Sequence, residues 1–218
     1  QHRKIVLTGD DSLSLYLASV TELEGRTRII HTTPMFFDEY RRLMGTDKSI
    51  DDYLEHGGIL SNCGLSINKD RDFDYAEAAI AWNIQNSLER FRNGGSFGPL
   101  LPLYAEERLV PFIQAFLRDI ARRIVLQAVS RHKLSLEMDY GREVVFAVER
   151  KLQQIEVPSY HAQPRAVYEL RRYLEEMDVI RIAGKSENQQ IHFVQPALCY
   201  CLICRQIKSL TQGAMLKL

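Results

Sequence analysis

The 218 residues are 45% apolar, and Lys+Arg and Asp+Glu are equal at 28 each, so the formal net charge is zero. That apolar share supports one or two buried cores, while the charge balance removes a global electrostatic footprint for nucleic acid and leaves only a local patch open. No apolar run approaches the roughly 18 residues that span a bilayer and no signal peptide opens the chain, so no membrane partner is expected. Cys63, Cys199, Cys201 and Cys204 then read as reduced thiols, and the expected setting is cytoplasmic.

Residues 1–60 read as the end of an α/β core. Lys4 followed by Ile5-Val6-Leu7 and Thr8-Gly9 predicts a buried parallel strand ending in a polar turn. Ligands of open α/β sheets sit at such strand ends, which makes Thr8 and Asp10 candidate contact residues. Equally, Asp10, Asp11 and Ser12 suit the cap of a helix expected over 12–22, with Asp11 or Ser12 as its N-cap. A strand follows at 27–31, then a helix at 36–44 beyond Pro34. A short helix to His56 is capped by Asp47 or Ser49 and ended by Gly57-Gly58, whose freedom at positive φ suits a helix terminus.

Residues 61–156 are expected to be all helical. A loop at 61–70 precedes a helix over 73–92, in which Ala76, Ile80, Ile84, Leu88 and Phe91 recur at helical spacing. Gly98-Pro99 and Pro102 punctuate, and helices resume at 106–131 and 142–155. The tail, 157–218, opens at Val157-Pro158. A helix over 164–177 leads to strands at 179–183 and 190–194 around a polar turn, and a last helical segment covers 197–210. Helix, strand, hairpin turn and strand is the order of a winged helix. The expected fold class is therefore mainly α with minor β.

Five pieces stand in a telling order over residues 4–60: Ile5-Val-Leu-Thr-Gly-Asp10, Leu23-Glu-Gly-Arg26, Ile29-Ile-His-Thr-Thr-Pro34, Phe36-Phe-Asp-Glu-Tyr40, and Tyr53-Leu-Glu-His-Gly-Gly58. This order resembles the predicted AAA-type, STAND-related P-loop ATPases of bacteria and archaea, with their "ITGS" strand, "L.GR" turn, "PLSFxEY" helix and "YLxYGGxP" lid segment. The resemblance implies the last strands of a nucleotide domain, a helical lid or spacer, and a winged-helix tail. It also implies ATP and Mg²⁺ in the full-length parent, held mainly by a segment before Gln1, and no cofactor for this chain alone. Thr8 takes the place of a sensor that orients the attacking water, with Asp10 as its neighbour. Arg26 is the turn arginine, a phosphate stabiliser or the partner of a nearby carboxylate. Gly57 and Gly58 match the lid glycines, although Ile59-Leu60 replaces the aromatic and proline that usually follow.

Several signatures do not appear. Gly184-Lys185-Ser186 lacks the earlier glycine and the following helix of a phosphate-binding loop, and it reads as a hairpin turn. No apolar strand ends in paired acids, so the chain alone is expected to be inactive as an ATPase. Cys199, Cys201 and Cys204 lie in an apolar helical run, where 199 and 201 face apart, and read as buried thiols with no metal. An exposed edge on strand 4–7 would pair with the missing ATPase segment or with a second copy of the chain. The competing reading is a non-catalytic module that binds DNA or protein through the winged helix. Its basic groups are Arg165, Arg171, Arg172 and Lys185, among interleaved Glu169, Glu175, Glu176, Asp178 and Glu187.

Overall fold

A 23-residue helix, α6 (Leu109–Arg131), is the axis of the molecule. Its Ile113, Phe116, Leu117, Ile120, Val125 and Val129 are almost fully buried, and their spacing spreads them over more than half of its circumference, as suits a central helix. The computed structural model describes residues 6, 12–23, 25–30, 35–45, 47, 49–56, 74–94, 97–155, 164–184, 189–204 and 207. Among these, α1 (Ser12–Thr21), α2 (Phe37–Met44), α3 (Ile50–His56), α4 (Asp74–Phe91) and α5 (Leu101–Ala105) precede the axis. After it come α7 (Lys133–Tyr140), α8 (Arg142–Gln154) and α9 (Pro164–Glu176). The strands β1 (Ile180–Ala183) and β2 (Gln190–Phe193) follow, then α10 (Pro196–Cys199) and a π-helical turn, Tyr200–Cys204.

Helix α4 packs on α6 and on α1, while α9 packs on α1 and on β1. The π-helical turn returns the tail to α6, and α10 touches α3. One apolar cluster runs through all of these, from Leu13 and Leu17 of α1 through Ile84 and Leu88 of α4 to Leu170, Leu174, Ile203 and Ile207. The three expected segments thus contribute to a single core. At roughly 1.5–3 kcal/mol for each large side chain buried, that shared core is what holds the short helices, too short to persist alone.

In the tail, β1 and β2 pair antiparallel with Ile180 opposite Phe193 and Ile182 opposite Ile191. Those four share one face, with Ile180 and Phe193 buried and Ile182 and Ile191 half-buried. Helix and strands lie where the alternation predicts them, and of the turn between them Lys185–Asn188 lie outside the described residues.

Local chemistry sets the other boundaries. Ser49 Oγ accepts the Asp52 N–H at 3.1 Å while Asp52 Oδ2 accepts the Ser49 N–H at 2.9 Å, so Ser49 rather than Asp47 caps α3. The helix expected from 106 begins instead at Leu109. Arg108 N–H reaches Leu103 carbonyl at 2.8 Å and Glu107 N–H reaches Tyr104 carbonyl at 3.0 Å, closing α5 with Glu107 at φ 57°. Helix α7 was not expected, and Gly141 at φ 87° turns it into α8. The strand expected at 27–31 does not form over residues 27–30, since a strand needs a neighbour to satisfy its N–H and C=O groups and none of the described residues supplies one. The strand at 4–7 falls outside the described residues except for Val6, which has no regular structure and is exposed.

Candidate functional site

Thr8 and Asp10, the expected sensor and its neighbour, and the lid glycines Gly57 and Gly58 lie outside the described residues. The element that Thr8 and Asp10 lead into is well defined. Helix α1 begins at Ser12 and is wedged into the core by Leu13 and Leu17, 0% and 5% exposed. Between them Ser14 Oγ and Ser87 Oγ of α4 lie 2.8 Å apart, a buried hydroxyl pair that satisfies both groups. A hydrogen bond across two helices fixes their register where apolar contacts alone would let them slide.

At the far end of α1 the amides of Glu22 and Leu23 both donate to Ala18 carbonyl, and Arg26 N–H donates to Leu23 carbonyl at 2.9 Å. Gly25 takes φ 69°, the left-handed conformation that closes this turn and that glycine adopts without steric cost. Arg26 is exposed, and its guanidinium donates to Glu22 carbonyl at 3.4 Å. A cation presented on a fixed turn suits an approaching anion.

The basic groups of the tail divide. Arg165 and Arg172 lie on the exposed side of α9 with Tyr168 between them, whereas Arg171 is half-buried and Lys185 is outside the described residues. Arg181 and His192 stand opposite one another on the outer face of the hairpin. Arg172 is already engaged, its Nη2 3.1 Å from Glu169 Oε1 and 3.1 Å from Tyr173 Oη. Of the three described arginines, Arg165 and Arg172 are exposed, and Arg172 is committed to Glu169 and Tyr173.

That engagement belongs to a cluster hidden from sequence reasoning. Tyr173 Oη donates to Glu169 Oε1 at 2.6 Å and accepts the Phe97 N–H at 3.1 Å. The Phe97 and Tyr173 ring centroids are 4.5 Å apart. Burial, then the Glu169 carboxylate, pushes the Tyr173 phenol up to about 12, so it remains a protonated donor at ordinary pH. Phe97 is fully buried at φ 67°, a conformation that costs about 1–2 kcal/mol for a residue with a Cβ. The Glu169, Arg172, Tyr173 spacing is visible on a helix, but nothing in the sequence ties it to a turn 76 residues away.

Two further carboxylates are buried. Glu77 on α4 pairs with Arg118 of α6 at 3.0 Å, and Asp119 pairs with Arg122 at 2.6 Å and Arg123 at 2.7 Å. Both read as structural ion pairs at or beside the α4–α6 contact. Cys199 is a buried thiol and Cys201 a half-buried one. Among the described residues no cluster of His, Cys, Asp and Glu is placed to hold a metal, and no helix is long and apolar enough to cross a membrane. Compared with known protein families, curated proteins and solved structures, the chain matches none of them.

Proposed function

We propose that the chain is the C-terminal part of an AAA-type ATPase, in which ATP binding and hydrolysis by the parent drive a conformational switch. The observation that carries this reading is where exposed apolar residues fall. Most of the large exposed ones among the described residues precede residue 51, including Val6, Ile29, Ile30, Phe36, Leu43 and Ile50. Exposed apolar residues gathered in one stretch of the sequence suit a face that another body covers. Ile29 and Ile30 belong to a run with strand character that has no strand partner among the described residues, so the body that fits is one that supplies sheet edges, as a nucleotide-domain segment with a phosphate-binding loop would. Thr8, Asp10 and Arg26 are its proposed nucleotide-facing residues, with Gly57 and Gly58 in its lid. Helix α1, leaving the proposed sensor strand and locked to α4 through Ser14 and Ser87, is suited to carry a displacement into the helical body.

The test is to join the chain to the reading frame preceding Gln1 and assay Mg²⁺-dependent ATP hydrolysis. That frame is expected to carry GxxxxGK[ST] and an acidic strand end, and Thr8→Ala and Arg26→Ala are expected to slow turnover. A preceding frame without either motif removes the proposal.

One arrangement favours a second reading, a DNA-binding winged helix. Arg165 and Arg172 flank exposed Tyr168 on α9, and Arg181 is exposed on the hairpin. In this reading duplex DNA binds the chain weakly and with a steep salt dependence, and Arg165→Ala with Arg181→Ala lowers the slope of log K against log salt by roughly two. Fluorescence anisotropy showing no salt-dependent binding eliminates it.

A further inference from the structure

We infer that Tyr173 is a latch joining α9 to the 97–100 turn, so that docking of α9 and the left-handed conformation of Phe97 form one two-state element. Phe97 has no glycine's freedom, yet it is held at φ 67° with its ring buried against Tyr173 at 4.5 Å. Its amide donates to Tyr173 Oη at 3.1 Å, across 76 residues of sequence. If α9 moves away, that buried N–H loses its acceptor and the ring loses its neighbour together. The unfavourable backbone conformer then loses two of the contacts that hold it. The turn in turn leads α5, because Leu100 and Leu101 N–H both donate to Phe97 carbonyl, at 2.9 and 3.0 Å.

Helix α9 also packs on α1. Glu169 and Arg172 brace the phenol from α9 itself, at 2.6 and 3.1 Å, so its hydroxyl cannot swing freely away from Phe97. Helix α9 thus touches both the helix that follows the proposed sensor strand and the turn that leads α5. What drives the latch rests on the ATPase reading; the latch itself is a property of this chain.

Hydrogen–deuterium exchange on the full 218-residue chain, without nucleotide, tests it. Tyr173→Phe keeps the ring and removes the hydroxyl. Exchange at 97–101 and along α9 is expected to rise about 5- to 100-fold, the range for a lost buried hydrogen bond, while 113–125 of α6 changes less than about twofold. Glu169→Gln, which preserves an acceptor for the phenol, is expected to leave 97–101 within about twofold of the parent. An unchanged 97–101 segment overturns the latch, and so does a rise shared equally by α6, which marks an ordinary core contact. Because no nucleotide is involved, either failure leaves the ATPase reading standing, and loss of that reading leaves the exchange result unaffected.

Discussion

Glu77 shows how a single side chain can carry opposed effects. Its carboxylate is 7% exposed, and burial raises its pKa above the ordinary 4.5 while Arg118 pulls the other way. A pKa raised in the folded state means that the native protein binds this proton more tightly than the unfolded chain does. Its contribution to stability is then complete below the ordinary carboxylate value and is lost as pH rises through the folded value. The stability of the parent protein relative to Glu77→Gln should therefore fall as pH is raised from about 4 to about 7, measured by urea unfolding at both. A gap that widens with pH would show that attraction to Arg118 outweighs desolvation. Glu107 offers a simpler case. It occupies a left-handed position, φ 57°, at the end of α5, and its side chain is exposed. Glu107→Gly should relieve the Cβ penalty and raise stability by about 1 kcal/mol, read as an increase in Tm. Leu174 is 0% exposed, so Leu174→Ala should cost about 2–5 kcal/mol in chemical denaturation, whereas Tyr168→Ala, at an exposed position of the same helix, should cost under about 0.5 kcal/mol.

At the scale of elements, periodicity read well wherever a helix buries one face, and failed where a boundary depends on backbone geometry. Helices α4, α8 and α9 and the β1–β2 register are all legible, because Ile84, Leu88, Val145, Val148, Leu170 and Leu174 repeat at helical spacing and Ile180, Ile182, Ile191 and Phe193 at strand spacing. The break between α5 and α6 was missed because Glu107 is not a residue whose identity announces a positive φ. The strand at 27–31 was expected from its isoleucines, yet a strand is a property of a pair, and the described residues hold no partner for it. The turn between α7 and α8 is set by Gly141 at φ 87° and ψ 151°, with no atom near the position of a Cβ. The cost of Gly141→Ala is accordingly conformational alone, about 1–3 kcal/mol by denaturation. Gly98→Ala is the control, with equally open space and no positive φ, and should be neutral within about 0.5 kcal/mol.

On the scale of the whole molecule, the proposed site is an ordered set of short motifs, of whose proposed site residues Arg26 alone lies among the described ones, and the chemistry that the resemblance implies would draw on groups in a preceding segment. Arg26 stands exposed on its turn, and α1 packs on α4 and α9. Most phosphate hydrogen bonds in P-loop sites come from the glycine-rich loop and its lysine, with Mg²⁺ held by the hydroxyl that follows. The only Gly-Lys-Ser here leads into β2, a strand and not the helix whose N-terminus would face phosphate. Arg26 by itself gives one charge-assisted contact in water, too little to offset the loss of translational freedom on binding. Calorimetry with Mg-ATP should therefore give no resolvable heat for this chain, corresponding to a dissociation constant above about 1 mM. A micromolar constant would mean that residues 1–218 contain a phosphate site of a kind their sequence does not display, and the division of labour between this chain and a preceding nucleotide segment would have to be abandoned.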